Sequence, residues 1–293
     1  NGRKNTAYVL LLYGADPNLR GKVIRDGTPL YIACQNGHTE TASVLLDEGA
    51  NPNQATNDGW TPLSIACQNG HTETVSVLLS GGANPNGHTE TARVLLEGGA
   101  TVDQANKNGR TPLCIACKYG QTETASVLLD EGGATVDQAD QYGQTPLYIA
   151  CQNGHTDIVK VLLDEGGANP NQAEYEYGWT PLYIACQNGH TDIVKVLLEG
   201  GATVDQARNG GATPLFVACA WGRTDIASVL LDRGATLEDG PMDNLYTITP
   251  LMIATRHNNI QIGVVLILYG ANYLYVLQNC QNEQWHQNIT QLM

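Results

Sequence analysis

Cysteine is the residue type with the greatest potential for chemistry in this chain of 293 residues, because thiolates bind metal ions and form disulfides. The chain has eight cysteines, and Cys114 and Cys117 form the CxxC spacing that is typical of zinc and redox sites. A structural zinc ion requires a second pair of ligands, and the sequence offers none at a comparable spacing. We therefore predict no metal site and no cofactor.

Six of the cysteines occupy one position of a repeated segment, which argues for a structural role. They are Cys34, Cys67, Cys117, Cys151, Cys186 and Cys219. If copies of the segment pack at the usual interhelical distance of about 8 to 10 Å, successive cysteines exceed the Cα separation of roughly 7 Å that a disulfide can span. We interpret them as buried free thiols. Free thiols indicate a reducing compartment, so we expect a cytoplasmic protein and leave the nucleus open.

The histidines also recur with the repeated segment rather than forming one constellation. Five of them follow a glycine at the same position of successive copies: His38, His71, His88, His155 and His190. We expect these side chains to cap helices or to hydrogen-bond between copies. The sequence shows no unique grouping of a nucleophile, a base and an acid. It therefore predicts no catalytic residue and no enzyme.

The repeated segment is clearest at Thr180 to Leu198, TPLYIACQNGHTDIVKVLL, and its residues predict two short helices. Thr180 is a favourable N-cap, and Pro181 suits the first helical position. Gly189 can adopt the left-handed conformation that ends a helix, and a second helix is expected to begin near Thr191. Each helix carries an apolar face that it cannot bury by itself, so successive copies must stack.

Complete copies begin at seven threonines, and all but one of the intervals between them lie near 33 residues. The seven are Thr28, Thr61, Thr111, Thr145, Thr180, Thr213 and Thr249. This period, together with the TPL, NGH and LLxxGA signatures, resembles the ankyrin repeat. The resemblance implies an all-α solenoid of helix-turn-helix units with β-hairpin fingers, arranged as a curved stack. No copy has the histidine of the family's TPLH motif, which alters the surface of the first helix.

The repeat pattern divides the chain into an ankyrin-repeat array over residues 1–272 and a C-terminal tail over residues 273–293. Residues 1–18 align with the second helix of a copy and are predicted to form a half repeat. The tail has apolar residues at helical spacing, which predicts a capping helix. They are Trp285, Ile289 and Leu292.

The interval from Thr61 to Thr111 is 50 residues, about half a repeat longer than the others. Relative to the preceding copy, residues 87–103 lack a finger and a first helix, so they are predicted to form an orphan half repeat. We expect an irregularity in the stack near residues 85–99, either a bend or a helix docked out of register.

By the same resemblance, the concave face made of fingers and first helices is expected to bind a partner protein. Our candidates are aromatic and arginine residues at positions that differ between copies, a composition typical of binding hot spots. They are Trp60, Tyr142, Tyr148, Tyr175, Tyr177, Trp179, Tyr183, Arg208, Phe216 and Trp221. Three of them have the alternative role of filling gaps between first helices: Tyr148, Tyr183 and Phe216. Recognition is favoured for three residues on a finger that is one residue longer: Tyr175, Tyr177 and Trp179.

The chain has a formal net charge of −14 and a sequence pI of about 4.7. This charge argues against nucleic acid and against an anionic membrane surface as partners, and it favours a basic protein partner. The sequence has no apolar run near the roughly 18 residues of a membrane span. We expect a monomer when the chain is isolated.

Two functions remain open on the sequence. The first is a scaffold for protein–protein interaction. The second is a regulatory or targeting ankyrin segment of a larger enzyme or membrane channel, which is consistent with a sequence that begins within a repeat at Asn1. Knowledge of the full-length transcript would separate the two.

Overall fold

The structure is a computed structural model that describes residues 2–21, 26–80, 99–243 and 246–274. The chain divides into two compact units, residues 1–141 with 165–167 and residues 142–164 with 168–293. We call them the N-terminal unit and the C-terminal unit, and each is described by itself. The predicted tail helix lies outside the described residues.

The described residues of the N-terminal unit form one helix followed by three helix pairs. They are α1 (Gly2–Leu12), α2 (Pro29–Gln35), α3 (Thr39–Asp47), α4 (Pro62–Asn69), α5 (Thr72–Leu79), α6 (Pro112–Tyr119) and α7 (Thr122–Asp130). The first helix of each pair packs on the first helix of the next pair, and second helices pack on second helices. Helix α1 packs on α3, as expected for the second helix of a half repeat.

The described residues of the C-terminal unit form four helix pairs and one short hairpin. They are α8 (Pro146–Asn153), α9 (Thr156–Asp164), α10 (Pro181–Asn188), α11 (Thr191–Glu199), α12 (Pro214–Ala220), α13 (Thr224–Asp232), β1 (Met242–Asp243), β2 (Tyr246–Thr247), α14 (Pro250–Arg256) and α15 (Ile260–Leu268). First helices again pack on first helices and second helices on second helices. The predicted stacking of two-helix repeats is confirmed.

Local sequence explains where the helices begin and end. The Thr180 hydroxyl accepts a hydrogen bond from the backbone N–H of Tyr183 at 3.1 Å, and Pro181 follows at the first helical position. The same threonine cap precedes every described first helix. Gly189 ends α10 with a φ of +85°, a conformation that costs a residue with a Cβ roughly 1 kcal/mol or more. The helix signals predicted from the sequence are therefore confirmed.

The core lies between successive helices of one kind. In the fifth repeat, six apolar residues of the two helices are at most 1% exposed: Leu182, Ala185, Cys186, Ile193, Val194 and Leu197. Leu198, at the end of the same segment, is half-buried. The core is thus extended along the stack, because each repeat buries its apolar face against its neighbours. Within the described residues, no helix is long and apolar enough to cross a membrane.

The fingers, defined as the turns that precede each first helix, are closed mainly by single backbone hydrogen bonds. The N–H of Thr56 donates to the carbonyl of Trp60 at 2.8 Å, and the N–H of Asn106 donates to that of Arg110 at 3.0 Å. Paired strands occur, among the described residues, in the finger of the last repeat, where Met242 lies opposite Thr247. The other described fingers are too short for a strand ladder, so the expected β-hairpins are a minor feature.

The second and third repeats pack directly against each other despite the 50-residue interval between their caps. Helix α4 packs on α6, and the hydroxyls of Thr72 and Thr124 are 3.0 Å apart. The equivalent hydroxyls of Thr39 and Thr74, across an ordinary interval, are 2.8 Å apart. The described residues on either side of the long interval therefore keep the regular stacking register.

The described residues that begin at Gly99 follow the same register. The N–H of Ala100 donates to the carbonyl of Leu78 at 2.9 Å, as that of Ala50 does to Leu45 at 2.8 Å. The end of the proposed half repeat 87–103 thus supplies the closing turn after α5. The remainder of that half repeat, and residues 85–98 of the predicted irregularity, lie outside the described residues.

Deletion of residues 82–98 is expected to preserve the fold and to raise the free energy of unfolding by about 1 to 2 kcal/mol. The deletion joins Gly81 to Gly99, so the sequence between α5 and Ala100 becomes as short as in other repeats, and a shorter connection costs less closure entropy. Urea denaturation of the wild type and of the deletion variant measures the difference. A lower midpoint, or a loss of cooperativity, would show that residues 82–98 contribute packing of their own.

Candidate functional site

The finger of the fifth repeat has a longer turn than the finger of the sixth repeat. The N–H of Glu174 donates to the carbonyl of Trp179 at 3.1 Å, which closes a turn with one residue more than the turn from Arg208 to Ala212. The longer turn is held by the Glu174 carboxylate. Glu174 is only 7% exposed.

Both carboxylate oxygens of Glu174 accept hydrogen bonds from the backbone of its own turn. The donors are the N–H groups of Glu176 at 2.8 Å, Tyr177 at 2.7 Å and Trp179 at 3.0 Å. In the shorter finger of the third repeat, the side-chain oxygen of Asn106 accepts the corresponding hydrogen bonds from the backbone N–H groups of Asn108 and Arg110. Our sequence reasoning missed Glu174. The signal was a longer acidic residue at this position, in a finger that is itself longer by one residue.

The Glu174 turn positions three aromatic rings in a column, which we call the aromatic column: Tyr177, Trp179 and Tyr183. The ring centroids of Tyr177 and Trp179 are 4.9 Å apart with an interplanar angle of 25°. Those of Trp179 and Tyr183 are 5.8 Å apart at 14°. Stacked pairs of this kind contribute about 0.5 to 1.5 kcal/mol beyond their buried area. The finger and helix α10 are therefore joined through side chains as well as through the backbone.

The aromatic column runs from solvent into the protein, and its two ends carry opposite charges. Tyr183 is 5% exposed, and burial raises the pKa of its phenol against the opposing effect of the Arg208 charge. Tyr177 is 44% exposed, and the neighbouring Glu176 carboxylate raises the pKa of its phenol. The arginine is thus at the buried ring and the glutamate at the exposed ring.

The middle ring of the column has an unusual polar group. The indole Nε1 of Trp179 is buried and has no hydrogen-bond partner among the residues that the structure describes. Such a group costs about 1 to 3 kcal/mol, and native proteins keep few of them. A phenylalanine would avoid that cost but would offer a smaller ring to Tyr177 and Tyr183.

Two further tyrosines of the C-terminal unit lie on fingers beside the column. Tyr175 is 70% exposed, and its ring lies over Gly143 of the preceding finger, where an added Cβ would come within 2.6 Å of the ring. Gly143 also has a φ of +80°, which favours glycine. The N–H of Tyr175 donates to the carbonyl of Tyr142 at 3.0 Å, and Tyr142 is itself exposed. We refer to residues 142–145, 174–179 and 208–212, with helices α8, α10 and α12, as the finger face.

The structure places the remaining predicted residues in different environments. Tyr148 is 1% exposed and offers almost no surface to a partner. Phe216, at the same repeat position, is half-buried. Trp221 is exposed at the C-cap of α12, whereas Trp60 belongs to the N-terminal unit and is half-buried there. The structure therefore brings Tyr177, Trp179, Tyr183 and Arg208 together, with Tyr142 and Tyr175 joined to each other on adjoining fingers.

The recurring cysteines, and those of the recurring histidines that the structure describes, lie where their repeat position predicted. The seven described cysteines are buried and none of them forms a disulfide, and burial raises the pKa of most of them: Cys34, Cys67, Cys114, Cys151, Cys186 and Cys219. A thiol held neutral is a poor nucleophile and a poor metal ligand. His71 Nε2 lies 3.2 Å from the carbonyl oxygen of Gln35, so the predicted hydrogen bond between repeats is confirmed there. Among the described residues, no group of three or more His, Cys, Asp or Glu side chains could hold a metal ion.

Solved structures share this architecture. The chain superimposes on the ankyrin repeat domain of Bcl-3, described as a unique member of the IkappaB protein family, with a TM-score of 0.65 and 26% identity over 78% of this chain and 94% of that one. It superimposes on the ankyrin repeat domain of human ASB11 with a TM-score of 0.66 and 28% identity over 84% of this chain and 99% of that one.

Sequence comparisons lead to the same family. A curated relative, the transient receptor potential channel pyrexia of Drosophila melanogaster, is 45% identical over 51 residues, which are 17% of this chain and 5% of the channel. The family model described as ankyrin repeats (3 copies) matches residues 1–89, 83–174 and 167–240. The chain therefore belongs to the ankyrin repeat family.

Proposed function

We propose that this protein is a scaffold that binds a partner protein through the finger face of its C-terminal unit, around Tyr175 to Tyr183. Ankyrin repeats are generally protein-interaction modules, and their fold is typically non-enzymatic. The observation that carries the proposal for these residues is the aromatic column, in which stacking and the Glu174 turn hold a partly exposed ring in place.

Large aromatic side chains are well suited to such a contact. Tyrosine and tryptophan bury much area while losing little side-chain entropy, and preorganised rings lose still less when a partner binds. Tyr175 and Tyr177 are exposed on the same finger. The unsatisfied indole of Trp179 fits a site that keeps a residue for recognition at some cost to stability.

The partner is a basic protein, and the isolated scaffold is a monomer. The net charge of −14 attracts positive partners and raises their association rate in a salt-dependent way. Buried free thiols suit a reducing environment, so we place the protein in the cytoplasm, with the nucleus as the other reducing compartment.

The double substitution Trp179→Ala with Tyr175→Ala is expected to reduce capture of partner proteins at least tenfold. The two changes remove the middle of the column and the most exposed ring of the finger, and hot-spot truncations of this kind cost about 2 kcal/mol or more. Quantitative pull-down from a lysate of the producing cells, with wild-type and variant baits compared band by band, measures the loss.

A matched control tests whether the effect is specific to the finger face. Tyr13 is 88% exposed and belongs to the N-terminal unit, so Tyr13→Ala removes an exposed ring and is expected to leave capture unchanged. Thermal unfolding of all baits checks that each is folded. If the double variant remained folded and captured the same proteins as the wild type, the partner site would lie elsewhere.

A second candidate function is a regulatory segment of a membrane channel. The observation that favours it is the 45% identity to part of a transient receptor potential channel, of which this chain spans a small fraction. Full-length transcript sequencing separates the two functions. A membrane-spanning or catalytic region in the same reading frame would support the regulatory role, and a transcript that encodes ankyrin repeats without one would support the independent scaffold.

A further inference from the structure

We propose that the partner contributes an arginine whose guanidinium group stacks on the exposed face of Tyr177 and pairs with the carboxylate of Glu176. This inference rests on the proposed function, since it names the chemistry by which the finger face holds its partner. It is carried by the order of rings in the aromatic column and by the charges at its two ends.

The aromatic column is incomplete at its outer end. Tyr183 is buried at the inner end, and Trp179 lies between Tyr183 and Tyr177 in a stacked arrangement on both sides. Tyr177 has Trp179 against one side and remains 44% exposed. A planar group from a partner can therefore continue the stack without displacing any ring.

The charges favour a cation at the open end. Glu176 is exposed, directly precedes Tyr177 in the chain and raises the pKa of its phenol, so a negative charge lies near the outer ring. Glu174 does not compete, because its two oxygens already accept three backbone N–H bonds. Arg208, a positive side chain of this site, acts on the buried Tyr183, whose phenol pKa its charge lowers, and donates from Nη1 to the carbonyl of Asn209 at 3.1 Å.

Arginine satisfies both features of the open end better than other residues do. Its guanidinium is planar, so it can stack on a phenol ring while its N–H donors reach a carboxylate. The compact ammonium group of lysine can pair with Glu176 but cannot stack in the same way. An aromatic side chain could stack on Tyr177 but would leave the carboxylate of Glu176 unused.

The test is selection from a randomised peptide library on immobilised wild-type protein, with counter-selection on the Trp179→Ala and Tyr175→Ala double variant. Peptides that bind the wild type and are not removed by the double variant bind through the finger face. We expect arginine to be enriched at one position of these peptides. Replacement of that arginine by lysine in a synthetic peptide is expected to weaken binding about five- to tenfold, measured by fluorescence anisotropy.

Two protein variants separate the ring from the carboxylate. Glu176→Gln is expected to weaken binding of the arginine peptide about fivefold and to reduce its salt dependence. Tyr177→Phe keeps the ring and removes only the hydroxyl, so it is expected to bind within about twofold of the wild type, whereas Tyr177→Leu is expected to lose at least fivefold.

The outcomes distinguish the two proposals. Site-dependent peptides that lack arginine, or an arginine peptide that tolerates both lysine and Glu176→Gln, would overturn this inference and leave the finger face as a binding site. Failure to recover any site-dependent peptide, with the immobilised protein shown to be folded, would count against both the inference and the proposed function.

Discussion

Leu197→Ala is expected to lower the free energy of unfolding by about 2 to 5 kcal/mol. Leu197 is fully buried in α11, which packs on both α9 and α13. The substitution leaves a cavity between three second helices that cannot close without moving their backbones. Because repeat proteins are stabilised mainly by contacts between neighbours, damage to the fifth repeat also weakens the repeats on either side.

Urea denaturation followed by far-UV circular dichroism measures this loss for wild type and variant. Lys195→Ala is the matched control, because Lys195 lies on the same helix with its side chain 51% exposed and forms a long i,i+3 ion pair with Asp192. We expect that control to change stability by no more than about 0.5 kcal/mol. Equal effects of the two substitutions would mean that the core does not lie between successive second helices.

Asp140→Ala is expected to lower the free energy of unfolding by about 2 to 4 kcal/mol. The Asp140 side chain is fully buried, and its Oδ2 accepts a hydrogen bond from Nε of Arg110 at 3.1 Å. Removal of one partner of a buried pair leaves the other charge uncompensated. The expected cost lies below that of a fully buried pair because Arg110 is 23% exposed and can be solvated in part. Thermal or urea unfolding checks the value.

Two controls define the origin of the Asp140 effect. Asp140→Asn, which introduces the residue that the third repeat has at Asn106, retains an acceptor for hydrogen bonds and is expected to cost less than half as much. Glu199→Ala breaks the exposed pair with Arg233 and is expected to cost less than about 1 kcal/mol. A near-neutral Asp140→Ala variant would show that the adjacent fingers do not depend on this ion pair.

The candidate site was predictable in composition but not in arrangement. The sequence indicated that Tyr175, Tyr177 and Trp179 lie on a lengthened finger, and the structure places them there. It did not indicate that Tyr177 and Trp179 stack on Tyr183, because that contact joins a turn to the following helix through side-chain packing. The support from Glu174 was missed for the same reason: its hydrogen bonds depend on the conformation of the turn.

Residues at one repeat position can differ in burial, which a repeat alignment does not reveal. Tyr148 and Tyr183 are buried, whereas Phe216 is half-buried, although all three follow the same threonine, proline and leucine. Their exposure depends on what the adjoining finger places over them. Over Tyr183 the cover includes the ring of Trp179, which no short-range pattern in the sequence specifies.

The sequence by itself determined the repeats, the helix boundaries and the apolar positions of the core. These follow from local rules, since Thr180 caps α10, Gly189 ends it, and the apolar period sets the buried side. Tertiary structure decided the rest: the aromatic column, the pairing of Arg110 with Asp140, and the regular packing across the 50-residue interval. These features join residues that are distant in sequence or differ between copies, so their energies depend on neighbours that only the folded stack brings together.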